Sequence, residues 1–229
     1  MAKKLHKNAS TESHLHQGEK QIIRLQLDEK AAPLAGPIAT STATLRTAYE
    51  KRLAAERALV PFEVRSAHAD HAWDMALRGT AKTLEVRAGG SKTPAYREVF
   101  PKGFGVLVTP SGDAQLVTAD QFIAHFGACT SPEARTVAEE YLPKLQTARE
   151  VLRTELAARK QAEGVVFAAR AEELAAKRDY SRTIDKTIAE IRALYPEDRR
   201  RQDLLFPSID AARGDRDDEQ ATDSEPEQG

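Results

Sequence analysis

The chain has 229 residues with 34 basic and 35 acidic side chains, so its formal charge of −1 singles out neither nucleic acid nor an anionic membrane as partner. Apolar residues make up 41%, but 38 of them are alanines, while aromatics reach only 6% and charged residues 30%. Alanine favours helix and buries little, so this composition predicts long, thin helices and argues against a large mixed α/β enzyme. The single cysteine, Cys129, excludes an intrachain disulfide and any all-cysteine zinc site, and it fits a reducing compartment.

Residues 1–39 carry His6, His14 and His16, several lysines, and Pro33, Gly36 and Pro37 around one short apolar patch from Ile22 to Leu27. The composition predicts a disordered arm in which that patch docks at most as a strand or a helical turn. The amino-terminal lysines precede no apolar run, so no cleaved secretory signal is expected. No stretch approaches the roughly 18 to 20 apolar residues that a membrane span needs, and a cytoplasmic protein is the expectation.

A long helix is expected over about 42–87, opened by the capping cluster Thr40-Ser41-Thr42 and closed by Gly89-Gly90. Its apolar positions include Leu45, Tyr49, Leu53, Leu59, Val60, Val64, Trp73, Leu77 and Leu84. A second helix is expected over 132–194, where Ser131-Pro132-Glu133 supplies a capping residue, a proline suited to the first turn and an acid near the positive end of the dipole. Ala134, Ala138, Tyr141, Leu145, Ala148 and Leu152 then step by alternating fours and threes, as in a coiled-coil seam. The seam shifts phase through Leu156, Val166 and Leu174 and resumes at Ile184, Ile188, Ile191 and Tyr195. Pro61 and Pro143 fall inside the two runs and are predicted to bend them without reversing the chain.

Between the runs, Val106-Leu107-Val108 reads as an extended stretch and Thr118-Ala119-Asp120-Gln121 as a capping box opening a short helix over 118–127. Phe122, Ile123 and Phe126 form the apolar side of that helix, which is expected to cap the long pair. Three aliphatic-aromatic-proline triplets, at Phe100, Tyr195 and Phe206, are expected to close exposed ends. A short helix carrying Arg199-Arg200-Arg201 should fold back, and residues 208–229 form an acidic, solvated tail with eight acids against two bases.

The predicted fold is therefore all-α: a long antiparallel helical hairpin, or coiled-coil-like bundle, with a small helical cap and disordered termini. One helical domain is expected over 40–207. For function, the seam without an assembled catalytic set points to a non-enzymatic helical interaction or scaffold protein. Its partner would be another protein or a second copy covering the Leu59/Val64/Trp73 side. No cofactor is implied: the glycines near 103–112 lack phosphate-loop and dinucleotide spacing, and Cys129 with His125 lacks a third, orienting group.

Two alternatives remain. His68, His71 and Asp74 recur at steps of three on one helix, and Asp185 of a partner helix could complete a metal site, although the Glu-x-x-His pairs of two-metal bundles are absent. Arg199, Arg200 and Arg201 could make the chain a nucleic-acid accessory protein, a reading the balanced charge disfavours.

Overall fold

The computed structural model describes residues 9–207, and every regular element among them is helical. In order they are α1 (Thr11–Gln26), a 3₁₀ turn (Ala32–Leu34), α2 (Ala35–Ala88), α3 (Pro94–Val99), α4 (Gly105–Val108), α5 (Asp113–Gly127), α6 (Pro132–Leu194) and α7 (Arg199–Leu205). The all-α expectation holds, and α2 and α6 pack against each other. The acidic tail and residues 1–8 lie outside the described residues.

The described chain, including the helical domain expected over 40–207, forms two compact units. A central unit spans Ala55–Val166, and a terminal unit combines residues 9–54 with 167–207. Both long helices contribute to each unit, and each unit has its own core.

In the central unit Trp73, Leu77 and Leu84 of α2 meet Val137, Leu145 and Leu152 of α6, with Phe122 and Phe126 of α5 closing the cluster. Phe100 stacks on Phe122 at 5.5 Å between ring centroids, and Phe122 on Phe126 at 5.6 Å. The cap is therefore aromatic, and it supplies apolar area that the alanine-rich helix pair lacks. Helix α5 begins five residues earlier than its capping box suggested, at Asp113, because Gly112 at φ 62° makes the turn. The Thr118 hydroxyl then bonds the Ala114 carbonyl at 3.0 Å as an interior helical residue. Val106, Leu107 and Val108 form one helical turn, not an extended stretch.

The terminal unit corrects the expectation of a disordered arm. Ser10 caps α1 by accepting from the Ser13 N–H at 3.1 Å, and Glu12 sits in the first turn. The buried stripe of α1 runs through Thr11, His14, Leu15, Gly18, Gln21 and Leu25. Its period is helical but its side chains are small or polar, so composition concealed it. The stripe packs with Ile38 and Leu45 of α2, with Tyr180, Ile184 and Ile191 of α6, and with Leu205 and Phe206 at the end of α7.

The Thr40-Ser41-Thr42 cluster does not open α2. Thr40 and Ser41 bond back to the carbonyls of Gly36 and Ile38, both at 3.1 Å, so the helix passes through them from Ala35. Its stop is as expected: Gly89 and Gly90 take φ of 78° and 138°, and the Gly90 N–H returns to the Glu85 carbonyl at 2.8 Å. Both long helices continue through their internal prolines. Phe100, Tyr195 and Phe206 are all buried, so the three proline-flanked aromatics close core ends as read. Leu174, taken as part of the seam, is exposed, and the buried line passes instead through Ala169, Ala176 and Tyr180.

Candidate functional site

Alanine leaves room between helices that larger residues would fill. In the central unit Ala55, Ala58 and Phe62 of α2 face Ala158, Ala162 and Val165 of α6, enclosing an open, largely apolar groove of about 300 Å³. The α2 positions step by three and four, as does the return stripe on α6, so the groove follows the helix pair with the periodicity of a seam. Its rim is charged. Arg65 lies over the Phe62 ring at 4.6 Å and pairs with Glu155 at 3.2 Å. Val165 is 56% exposed at the groove edge, and Val151, fourteen residues earlier on α6, is also exposed. Val151, Ala158 and Val165 thus form one heptad-spaced line on α6.

A second concavity of about 520 Å³ lies among Ser66 and Asp70 of α2, Gly112 and Gln115 at the start of α5, and Arg159 and Lys160 of α6. Asp113 pairs with Lys160 across its mouth at 3.3 Å. Its charges are of both signs and largely paired with each other, which suits a solvated cleft.

The residues singled out for metal binding do not converge. His68 and His71 are exposed on α2, Asp74 is half-buried in the central unit, and Asp185 belongs to the terminal unit. Among the described residues no group of three or more histidine, cysteine, aspartate or glutamate side chains is placed to hold a metal. Burial, and then the neighbouring carboxylate of Asp70, push the Asp74 pKa up, with Arg78 and His71 opposing. One of its oxygens is buried without a hydrogen-bond partner.

Cys129 and His125 do not form a nucleophile and base. The thiol, buried and beside Glu98, has its pKa pushed up to about 11, and it donates to the His125 backbone carbonyl at 3.4 Å. The His125 ring contacts the Glu98 carbonyl at 2.6 Å instead of the thiol. Glu98 itself caps the start of α6, where hydrogen bonds from Ser131 and Thr130 hold its carboxyl at about 2.

The arginine run is divided in its roles. Arg201 is committed to Asp28 at 2.8 Å and lies over the Tyr195 ring at 5.1 Å. Arg199 and Arg200 are exposed on α7. Trp73, placed by sequence on a face for a second copy to cover, is already buried in the chain's own core.

No protein-family model, curated protein or solved structure matches the chain. Among the described residues no helix is long and apolar enough to cross a membrane.

Sequence reading missed the groove because Ala55, Ala58, Ala158 and Ala162 read as helix formers, not as a surface. The signal available in the sequence was the exact seven-residue repeat of Val151, Ala158 and Val165.

Proposed function

We propose that the chain is a non-enzymatic helical interaction protein and that the alanine-floored groove of the central unit receives a helix from a second copy. The observation that carries this reading is the line of Val151, Ala158 and Val165 beside the groove. A line of two valines about a central alanine is self-complementary. Laid antiparallel on a second copy, it sets Val151 opposite the other copy's Val165 and alanine opposite alanine, the isologous arrangement a two-fold dimer requires. Knobs set over small-residue holes are how paired helices gain apolar contact. A cytoplasmic setting belongs to the same proposal.

Sedimentation equilibrium over a hundredfold concentration range tests it. The unaltered chain is expected to approach a dimer and Ala158→Glu to remain a monomer with the same helical circular dichroism. A chain that stays monomeric throughout rejects the reading, and so does a dimer indifferent to Ala158→Glu.

A further inference from the structure

Four of the five charged side chains that line the 520 Å³ concavity of the central unit are engaged with one another: Arg159 pairs with Glu163 at 2.8 Å and Lys160 with Asp113 at 3.3 Å. Asp70 is the fifth, half-buried on α2 and paired with no base among the described residues. One turn further along α2 lies Asp74, whose pKa the charge of Asp70 helps to raise, so a cation brought to Asp70 relieves both carboxylates.

The opposite polarity stands where α5 begins. Gly112, at φ 62°, provides no side-chain cap. The N–H groups of Gln115 and Leu116 turn back to the Gly112 carbonyl, whereas those of Asp113 and Ala114 donate to no acceptor among the described residues. Free N–H groups at the positive end of a fifteen-residue helix favour an anion. Gln115, in the same turn, lines the concavity with only 2% of its surface exposed, and its side-chain amide has no hydrogen-bond partner among the described residues. A buried amide left unpaired is costly, and this one offers a donor and an acceptor to whatever fills the space. Leu152 and Leu156 of α6 supply an apolar part of the wall.

A free carboxylate, a free set of backbone donors, an unpaired amide and an apolar wall are together complementary to a small zwitterion with an aliphatic side chain. A simple cation would answer only Asp70, and a simple anion only the helix start. We propose that the concavity binds an aliphatic α-amino acid, with its ammonium at Asp70, its carboxylate at the start of α5 and its side chain along Leu152 and Leu156. The Gln115 amide then takes its missing partner from the ligand. A volume of about 520 Å³ falls in the range of small-molecule sites and leaves room for bridging water. The site does not depend on the alanine-floored groove or on self-association.

NMR titration of the labelled full chain with L-leucine tests it, read on the backbone amides of Asp113 and Ala114 and on the side-chain amide of Gln115. All three are expected to shift together and to saturate, with a Kd on the order of 1 mM or tighter. Isoamylamine, which is leucine without its carboxylate, and isocaproate, which is leucine without its ammonium, should each bind at least about fivefold more weakly. Asp70→Asn, which keeps the shape of a half-buried side chain, should weaken leucine by at least about fivefold. Gln115→Leu, which removes the amide, should weaken it as well, and circular dichroism confirms that both variants fold. Should Gln115→Leu fail to fold, Asp70→Asn and the two analogues still decide. No saturable shift by about 20 mM leucine overturns the proposal. So does a smaller difference for either analogue, a smaller loss in Asp70→Asn, or full leucine affinity in folded Gln115→Leu.

Discussion

The Tyr195 hydroxyl donates to Asp28 Oδ1 at 2.5 Å, joining the residue just beyond α6 to the turn between α1 and α2. The same carboxylate accepts from the backbone N–H groups of Lys30 and Ala31, at 3.1 and 3.0 Å, and from Arg201 Nε at 2.8 Å on its other oxygen. Three chain segments of the terminal unit therefore meet on one buried aspartate. Burial works to raise its pKa, but the hydrogen bonds from Tyr195, Arg201 and Ala31 prevail and hold it at about 2.

Asp28→Asn should lower stability by about 2 kcal/mol at neutral pH, since it weakens several hydrogen bonds to a charged group, and Tyr195→Phe by about 1 kcal/mol. The folded pKa is depressed from 3.8, so the carboxylate's contribution is present above that value and is lost as pH falls from about 4 toward 2. Urea denaturation at pH 7, 4 and 2.5 reads both effects. An Asp28→Asn variant as stable as the unaltered chain at pH 7 would show that the cluster contributes nothing net.

Asp74 should behave in the opposite sense. Its raised pKa favours the protonated form in the folded chain, so ionisation at neutral pH opposes folding. Asp74→Asn is expected to raise the denaturation midpoint at pH 7, with the gain fading as pH falls below the raised value toward 3.8, the ordinary carboxyl value. A loss of stability in this variant would mean that the ionised group has a stabilising partner.

Two helical glycines should respond to alanine with opposite signs. A Cβ at Gly18 would lie 2.6 Å from Thr42 Oγ1 and 3.2 Å from the Tyr180 hydroxyl, whereas one at Gly164 meets nothing within 4 Å. Gly18→Ala should cost about 1 to 3 kcal/mol through overpacking, which exceeds the gain in helix propensity. Gly164→Ala should stabilise by about 1 kcal/mol. Guanidinium titrations of the two variants would expose a wrong sign in either case.

Cys129 should resist alkylation. With its pKa at about 11 in place of 9.0, its thiolate fraction at pH 8 is about 100-fold lower than that of an ordinary thiol. Iodoacetamide should therefore modify the native chain at least about 100-fold more slowly than the denatured chain. Comparable rates in the two states would contradict its burial.

Pro61→Ala and Pro143→Ala should each restore a helical N–H to the carbonyl four residues earlier, at Arg57 and Glu139. The expected gain is on the order of 1 kcal/mol by thermal melting. A fall in melting temperature for Pro61→Ala, together with weaker self-association, would show that the proline beside the groove serves the interface.

The sequence by itself determined the class of fold and most of the punctuation. Alanine abundance, Pro132 in the first turn of α6 and the Gly89-Gly90 stop act through local backbone geometry, which neighbours in sequence supply, whereas the cap of α6 is the distant Glu98 and not Ser131. Tertiary structure alone decided three other matters. Helix α1 forms because its small and polar stripe of Thr11, His14, Gly18 and Gln21 can approach α2 and α6 closely, and composition cannot distinguish that from a solvated arm. The fates of similar residues also diverged: Trp73 became core while Val60, Val64 and Leu174 stayed on the surface, because an amphipathic period names a face and not its partner. The candidate sites belong to this second group. A groove floored by Ala58 and Ala162, and a carboxylate at Asp28 that gathers Tyr195 and Arg201, exist only when residues far apart in sequence are packed together.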